Sequence, residues 1–560
     1  MASLTQQLLK ARGITTKKAA EIFLHPDYVR DLHDPFLFSG MKKAVAIILH
    51  AISNQEQIVI FGDYDCDGIP GTALLYEFFK KIGYKKISAY IPHRYTEGYG
   101  MTVEAVRKLQ KQHASLIITV DCGITDTEAV DEASKFGIDV IITDHHIVQD
   151  KLPKAYAIIN AQKKGDKYKN KNICGAGTAF KLVQALMKEG KFELPKGWEK
   201  WLLDLAGLAT IADMVSLTGE NRVLAYYGLK VLRKTPRVGI LQLLKKKNVR
   251  PENLTEDDVG FTIGPHINAA SRMGDPYDAF KLLTTEDGGE AAELVQKLLD
   301  HNADRKSEVQ IIIQEAEALM HLHTDLPVIV IGHRDWKPGI VGLAANMLAE
   351  KYEKPAFVWG KHTSTHLKGS CRSDGSVNIV ELMTETKEIS NEIFLDFGGH
   401  ELAGGFSIYE DKIELFAPAL ISAYKKLNLE SSTLYNKAQI EKSEYIEIDV
   451  NDITWEMYRE VDQFAPFGVG NEKPVFSLKN VEVSEVRFFG KEGIHTELIL
   501  KKSRSSIGAI KFFTYDEFKN IKLDTKLDLQ VTLEKSTFKY PHELRLRIVD
   551  WAYAQGGLVE

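Results

Sequence analysis

The chain has 560 residues, too many for one core, and at about 150 residues per domain it divides into three or four. Hydrophobic residues at 44% and charged residues at 26% are ordinary globular composition, and no run approaches the roughly 18 to 20 apolar residues of a membrane span. A formal charge of −6 excludes a global attraction for polyanions, so a nucleic-acid partner requires a local basic groove and cations among clustered acids.

The start of the chain, Met1 to Lys10, has no apolar export core. The four cysteines (Cys66, Cys122, Cys174, Cys371) show no CxxC or Cys/His pairing. The reading is a soluble protein of a reducing cytoplasm, with no membrane partner. Residues 1–50 read as a helical lead-in. From Gln57 to Asp144, apolar runs at 58–61, 88–91, 116–120 and 140–143 alternate with helical patterns such as 71–82 and 103–113. Continuous β-branched runs of this kind predict a parallel sheet covered on both faces. Segment 173–247 reads as helical. A long charged helix from Glu290 to Leu322 reads as a solvated spacer, and a second α/β pattern runs from Pro327 to about 425. After Lys442, alternating short strands at 481–487 and 544–549 predict a small β-barrel.

Carboxylates collect at three predicted strand ends: Asp63, Asp65 and Asp67 after the first, Asp121 after the third, and Asp144-His145-His146 after the fourth. The carboxyl ends of neighbouring parallel strands converge on one crevice, so the clusters are expected to meet. Carboxylates that close repel or take up protons unless a cation lies among them. A mixed carboxylate and imidazole set suits Mn²⁺, and carboxylates with water also admit Mg²⁺. Taken singly, each motif has a plainer reading: an Asp-Gly turn, or a helix cap with two surface histidines.

These residues resemble the DHH phosphoesterase superfamily, and its RecJ branch in particular. Gly62-Asp63-Tyr64-Asp65-Cys66-Asp67-Gly68 looks like the first motif, Asp121-Cys122-Gly123 the second, Asp144-His145-His146 the third and Ala209-Thr210-Ile211-Ala212-Asp213-Met214-Val215 the fourth. Gly399-His400-Glu401-Leu402-Ala403-Gly404-Gly405-Phe406 resembles the glycine-rich motif of the DHHA1 domain. Ala465-Pro466-Phe467-Gly468-Val469-Gly470-Asn471 resembles a RecJ segment leading into an OB-type barrel. Three positions depart from the pattern: Lys337 follows Trp336 where His is usual, Cys371 replaces a common glycine, and His266 a common arginine.

The resemblance implies an α/β parallel-sheet DHH domain at 51–285, a connector helix at 286–325, an α/β DHHA1 substrate domain at 326–435 and an OB-fold domain at 436–560. It also implies two Mn²⁺ ions, with Mg²⁺ as substitute, sharing Asp121. One would be held with Asp63 and Asp65, the other with Asp67, His145 and Asp213. Asp144 and His146 would stand behind the ligands or meet the substrate, and His400 would serve the scissile phosphate or the leaving oxygen. Gly399 would allow close backbone approach to an anion. Ser370, Arg372 and Ser373 would hold a terminal phosphate, with Arg94, Asn268 and Arg272 as further contacts.

The implied activity is 5′-to-3′ digestion of single-stranded DNA to mononucleotides by a monomer, in recombination and repair. In the barrel, Phe488, Phe489, Phe512, Phe513, Phe538 and Tyr540, interleaved with Lys501, Lys502, Arg504, Lys511, Lys535 and Lys539, can stack bases and neutralise phosphates. Three matters stay open from the residues: action on cyclic dinucleotides or short oligonucleotides, a non-catalytic single-strand-binding scaffold, and partnership with a single-strand binding protein or a helicase.

Overall fold

Five short strands, β1 (Ile58–Gly62), β2 (Ile87–Tyr90), β3 (Leu116–Val120), β4 (Asp139–Thr143) and β5 (Ala157–Ile159), form a parallel sheet in the order β2-β1-β3-β4-β5. The computed structural model that shows this describes residues 3–149, 151–320, 326–361, 366–431, 445–502, 505–537 and 541–554. Successive side chains of a strand point to opposite faces. Ile58 and Ile60 accordingly join the core under the helices Met41–Ser53, Gly68–Lys81 and Gly175–Glu189. Val59 and Phe61 join the core under Val103–Lys111 and Thr127–Lys135. Burial on both faces is why these strands read as unbroken apolar runs. The three-residue β5 is too short to show a pattern and is absent from the sequence reading.

The helix Gly288–Met320 is not the solvated spacer expected from its charge. Leu294, Val295 and Leu298 complete the first core, while Val309, Ile312, Ile313, Ala316 and Met320 enter a second. Its apolar stripe at helical spacing therefore ties two units together. The second unit carries β6 (Ile329–His333), β7 (Ala356–Gly360), β8 (Leu367–Arg372), β9 (Phe394–His400) and β10 (Ala403–Ile408) in the order β6-β7-β8-β10-β9. Only β6 and β7 run parallel; β7 to β9 are joined antiparallel.

The last unit carries β11 (Ile446–Glu447), which adds to the side of a five-stranded barrel of β12 (Phe476–Phe489), β13 (His495–Lys502), β14 (Ser505–Lys511), β15 (Lys526–Ser536) and β16 (Glu543–Tyr553). Pairing of β12 with both β13 and β15 closes it. Residues 1–50 divide between two units. The helix Met41–Ser53 covers the first sheet, but Leu8 and Leu9 of the helix Leu4–Ala11 are buried with Val450, Met457 and Phe464 in the barrel core. Thr5 Oγ1 also donates to Glu460 at 2.8 Å, across 455 residues of chain. Among the described residues no helix is long and apolar enough to cross a membrane.

Removing residues 1–15 exposes the core face that Leu8 and Leu9 cover, a loss of about 3–6 kcal/mol at about 1.5–3 kcal/mol per buried leucine. Hydrogen exchange should therefore quicken in β12 and β15 and stay unchanged in β1 and β3.

Candidate metal centre

The acids stand where the first sheet ends. Asp63, Asp121 and Asp144 each lie one residue beyond their strand, and each main-chain N–H continues the ladder. Asp63 donates to Val120 O (3.1 Å), Asp121 to Thr143 O (3.0 Å) and Asp144 to Ile159 O (3.1 Å). Because β1, β3 and β4 are neighbours, this stagger sets carboxylates side by side at the β1/β3 switch point, the place where open α/β sheets bind ligands. Asp121 adopts φ +63°, an unusual conformation for a residue with a side chain.

Three groups of ligand atoms result, each within 4.8 Å: Asp63, Asp65 and Asp121; Asp67, His145 and Asp213; and Asp121, His145 and His146. His145 Nε2 lies 3.0 Å from Asp121, 3.7 Å from Asp67 and 3.8 Å from Asp213, so the first two groups meet at Asp121. Asp213 arrives as the C-cap residue of the helix Leu203–Ala212. Burial, and after it repulsion from neighbouring carboxylates, pushes Asp63, Asp121 and Asp213 well above the carboxylate range. Burial likewise raises Asp67, against the pull of His145. One oxygen each of Asp63 and Asp121 is buried with no hydrogen-bond partner. Orphaned carboxylate oxygens converging from several strand ends fit divalent cations.

The surroundings are built for charge. The helix Gly175–Glu189 points its first amides at Asp67: Gly175 N–H donates at 2.6 Å and Ala176 N–H at 2.7 Å. A Cβ on Gly175 would lie 2.6 Å from Cβ of Asp121, so glycine is required for this approach. Burial keeps the His145 ring below its ordinary pKa despite Asp67, which leaves it neutral, as a ligand must be. Burial also opposes the Asp144 charge. Contact with His146 (2.8 Å) and the amides of Ile124, His145 and His146 outweigh it, and the carboxyl stays below its usual range. The same contact overcomes burial of His146 and raises its ring to about 9. Asp144 thus orients the histidine pair from behind. Tyr99, which the sequence reading omits, donates its hydroxyl to Asp121 O at 3.1 Å and lies 3.2 Å from His146 Nδ1.

A cleft of about 450 Å³ opens over these groups, with Arg94 at its edge and Ser370, Arg372, Gly399, Gly404 and Gly405 of the second sheet as its far wall. Arg94 lies 4.3 Å over the Tyr64 ring, and its Nε has no partner. Arg372 donates one nitrogen to Cys371 O. Gly399 holds φ +151° in the β9–β10 hairpin. His400 is exposed at the end of β9; burial and then the His146 charge keep its ring below its ordinary pKa.

Other expected contacts are spent elsewhere. Ser373 does not line the cleft: its hydroxyl donates to Val377 O (2.6 Å) and accepts from Gly375 N–H, closing a turn. Asn268 accepts from Cys66 N–H (2.9 Å) and so braces the first motif. Arg272, lowered to about 9 by burial and by Arg94 and Arg305, donates to Gly339 O across the domain junction. The three departures from the family pattern are structural. Lys337 pairs with Glu308, Cys371 is buried against Met383, and His266 lies between Thr262 O and Asn302.

On the barrel, Phe489, Phe512 and Phe513 surround His495, and Phe488 meets Tyr515 at 4.8 Å. None of these phenylalanines is buried, and Phe513 is 77% exposed. Lys502 and Lys511 are paired with Asp449 and Glu517, while Lys501 is exposed and Lys535 lies 3.5 Å from Asn253 Oδ1. Arg504, Phe538, Lys539 and Tyr540 lie outside the described residues.

Three family models match the chain: the DHH family N-terminal domain at residues 57–210, the DHHA1 domain at 325–426 and the RecJ OB domain at 446–550. The single-stranded-DNA-specific exonuclease RecJ of Bacillus subtilis is 35% identical over 91% of this chain and 63% of its own length. The RecJ of Escherichia coli is 35% identical over 68% of each chain. This chain thus spans about two thirds of these relatives. The crystal structure of RecJ in complex with Mn²⁺ from Thermus thermophilus superposes with a TM-score of 0.78 at 26% identity, covering 98% of this chain and 75% of that one.

An acid whose pKa is raised by folding contributes stability below its unfolded pKa and loses it as pH climbs through the folded one. Metal-free protein should therefore be less stable at about pH 7.5 than at about pH 5, and Mn²⁺ should raise Tm more at the higher pH, with proton release on binding. An equal Tm increment at both would mean that the raised carboxyls are not the ligands.

Proposed function

The chain belongs to the RecJ family of single-stranded-DNA-specific exonucleases, and from that premise we propose that it removes mononucleotides from the 5′ end of single-stranded DNA, acting as a monomer in recombination and repair. The observation that carries this reading is the facing of two unlike walls across one cleft: clustered carboxylates on one side, Ser370 and Arg372 on the other, with Arg94 at the edge of the acidic side. We assign Asp63, Asp65 and Asp121 to one Mn²⁺ and Asp67, His145, Asp213 and shared Asp121 to a second, with Mg²⁺ able to replace it. Bound there, the pair would supply an activated water and charge for the leaving oxygen.

The protein groups do the positioning. Asp144 fixes the tilt of His146 and favours its protonated form, so a donor stands beside the phosphate at neutral pH. Arg94 and Arg372 present guanidinium edges suited to two phosphate oxygens, and a terminal phosphate held there would set the direction of digestion. His400, exposed at the end of β9 beside Gly399 of the far wall, is assigned to the leaving oxygen, which requires the second wall to close. The barrel supplies what a small substrate does not need, an aromatic platform for bases further along the strand. This argues against cyclic dinucleotides as the main substrate. A scaffold role is disfavoured because a protein that only binds DNA gains nothing from buried, mutually repelling acids.

The direct test is Mn²⁺-dependent digestion of an internally labelled single strand, blocked in turn at each end, beside its duplex and a cyclic dinucleotide. Loss of release with the 5′ block alone, and little duplex cleavage, is the expected result; release despite that block overturns the polarity, and cleavage of the dinucleotide alone overturns the substrate. Asp121→Ala should abolish release while single-strand binding persists, and Asp144→Asn should cost about 10–100-fold in activity. Phe513→Ala should weaken single-strand binding by about 1–3 kcal/mol without changing turnover of a dinucleotide.

A further inference from the structure

The loop Gln463–Asn471 runs from the helix Trp455–Asp462 toward β12 within the barrel unit, and it is held in an unusual way. Phe464 and Phe467 are buried in the barrel core. The polar side of the loop is gripped from outside the barrel. Arg222, 2% exposed on the helix Gly219–Leu232, lies beside it, and all five of the acceptors its guanidinium reaches are main-chain carbonyls. Nη1 donates to Phe464 O (2.9 Å) and Pro466 O (3.4 Å), Nη2 to Ala465 O (3.1 Å) and Gln463 O (3.5 Å), and Nε to Phe23 O (2.9 Å). Its guanidinium also lies 4.0 Å over the Phe23 ring. Asn471, 1% exposed, donates to two of the same carbonyls, Phe464 O and Pro466 O, both at 2.8 Å, and accepts from Arg12 Nε at 2.8 Å. A third tie, Leu217 N–H to Val469 O at 2.7 Å, lies four residues beyond Asp213.

A buried guanidinium is costly unless its five N–H donors are satisfied, and here one loop and one N-terminal carbonyl satisfy them. Acceptors on consecutive main-chain carbonyls fix the path of the loop itself, not the rotamer of a partner side chain. The knot therefore locks three segments, 12–23, 217–222 and 463–471, in one arrangement. We propose that Arg222 and Asn471 are positioning residues for long strands: they hold the barrel in a single register against the cleft, so that nucleotides stacked on the barrel are presented to it in line. This rests on the exonuclease reading and names what makes the two binding surfaces act as one. Two surfaces rigidly joined in the right geometry bind a strand that spans them far more tightly than either alone, and that gain falls when their relative position is freed.

The test compares the full-length protein with Arg222→Met, which keeps the stem and removes the donors, and with Arg222→Lys and Asn471→Ser. Small-angle scattering reads barrel position without substrate, and KM and kcat are measured on a long single strand and on a dinucleotide. For Arg222→Met the expected result is a broadened interdomain distribution and KM on the long strand raised by about tenfold or more, with dinucleotide turnover within about twofold of the parent. Arg222→Lys should fall between. If Arg222→Met does not fold, Asn471→Ser carries the same expectations. Unchanged scattering and long-strand KM would overturn the proposal, as would equal losses on both substrates, which mark a stability role alone. Should the parent digest no long strand, that failure falls on the exonuclease reading, while the scattering still decides whether the knot fixes the barrel.

Discussion

Buried carboxylates crowded at the end of a parallel sheet cannot all be anions unless positive charge lies among them. Asp63, Asp67 and Asp121 are each at most 4% exposed; Asp63 and Asp121 converge with Asp65, Asp67 with Asp213, and His145 links the two sets. Burial and mutual repulsion together drive their carboxyls toward the protonated form. Much of the surrounding structure answers this one conflict. The first amides of the 175–189 helix lie on Asp67, the Asp144 anion steadies the histidines, and Asp121 accepts a strained backbone to face both groups. Such a centre is stored work that a divalent cation releases.

The second constraint is that this centre must meet a flexible polymer. One wall carries the acids and the other carries arginine, serine and glycine, and the 288–320 helix holds the walls together by entering one core through Leu294, Val295 and Leu298 and the other from Val309 to Met320. The barrel, closed by β12 with β15, adds a separate surface whose aromatic rings gather round His495. Its attachment depends on segments far from it in sequence, since the first helices belong to its core and Arg222 reaches it from the first domain.

The sequence showed β1, β3 and β4 clearly because burial on both faces leaves them almost wholly apolar. It showed Asp63, Asp121 and Asp144 because strand ends are visible wherever such runs stop. Asp213 needed the family pattern, since a helix-ending acid has no local signal. Tyr99 and the Gly175 and Ala176 amides were not legible: the first lies in an irregular loop, and main-chain donors have no side-chain signature at all. Ser373 looked like a phosphate ligand beside Arg372, but a serine in a tight turn bonds its own backbone. The spacer reading failed because charged residues on the outer face of the 288–320 helix masked a regular apolar stripe. The affinity of the first helices for the barrel, more than 400 residues away, leaves no trace in local pattern.

The claim on which the account turns is that the carboxylate cluster is a site for two cations sharing Asp121. Anomalous diffraction at the manganese edge, from crystals equilibrated with Mn²⁺, measures this directly. The account predicts two peaks flanking Asp121, one beside Asp63 and Asp65 and the other beside Asp67, His145 and Asp213. A single peak, or peaks away from Asp121, would contradict it.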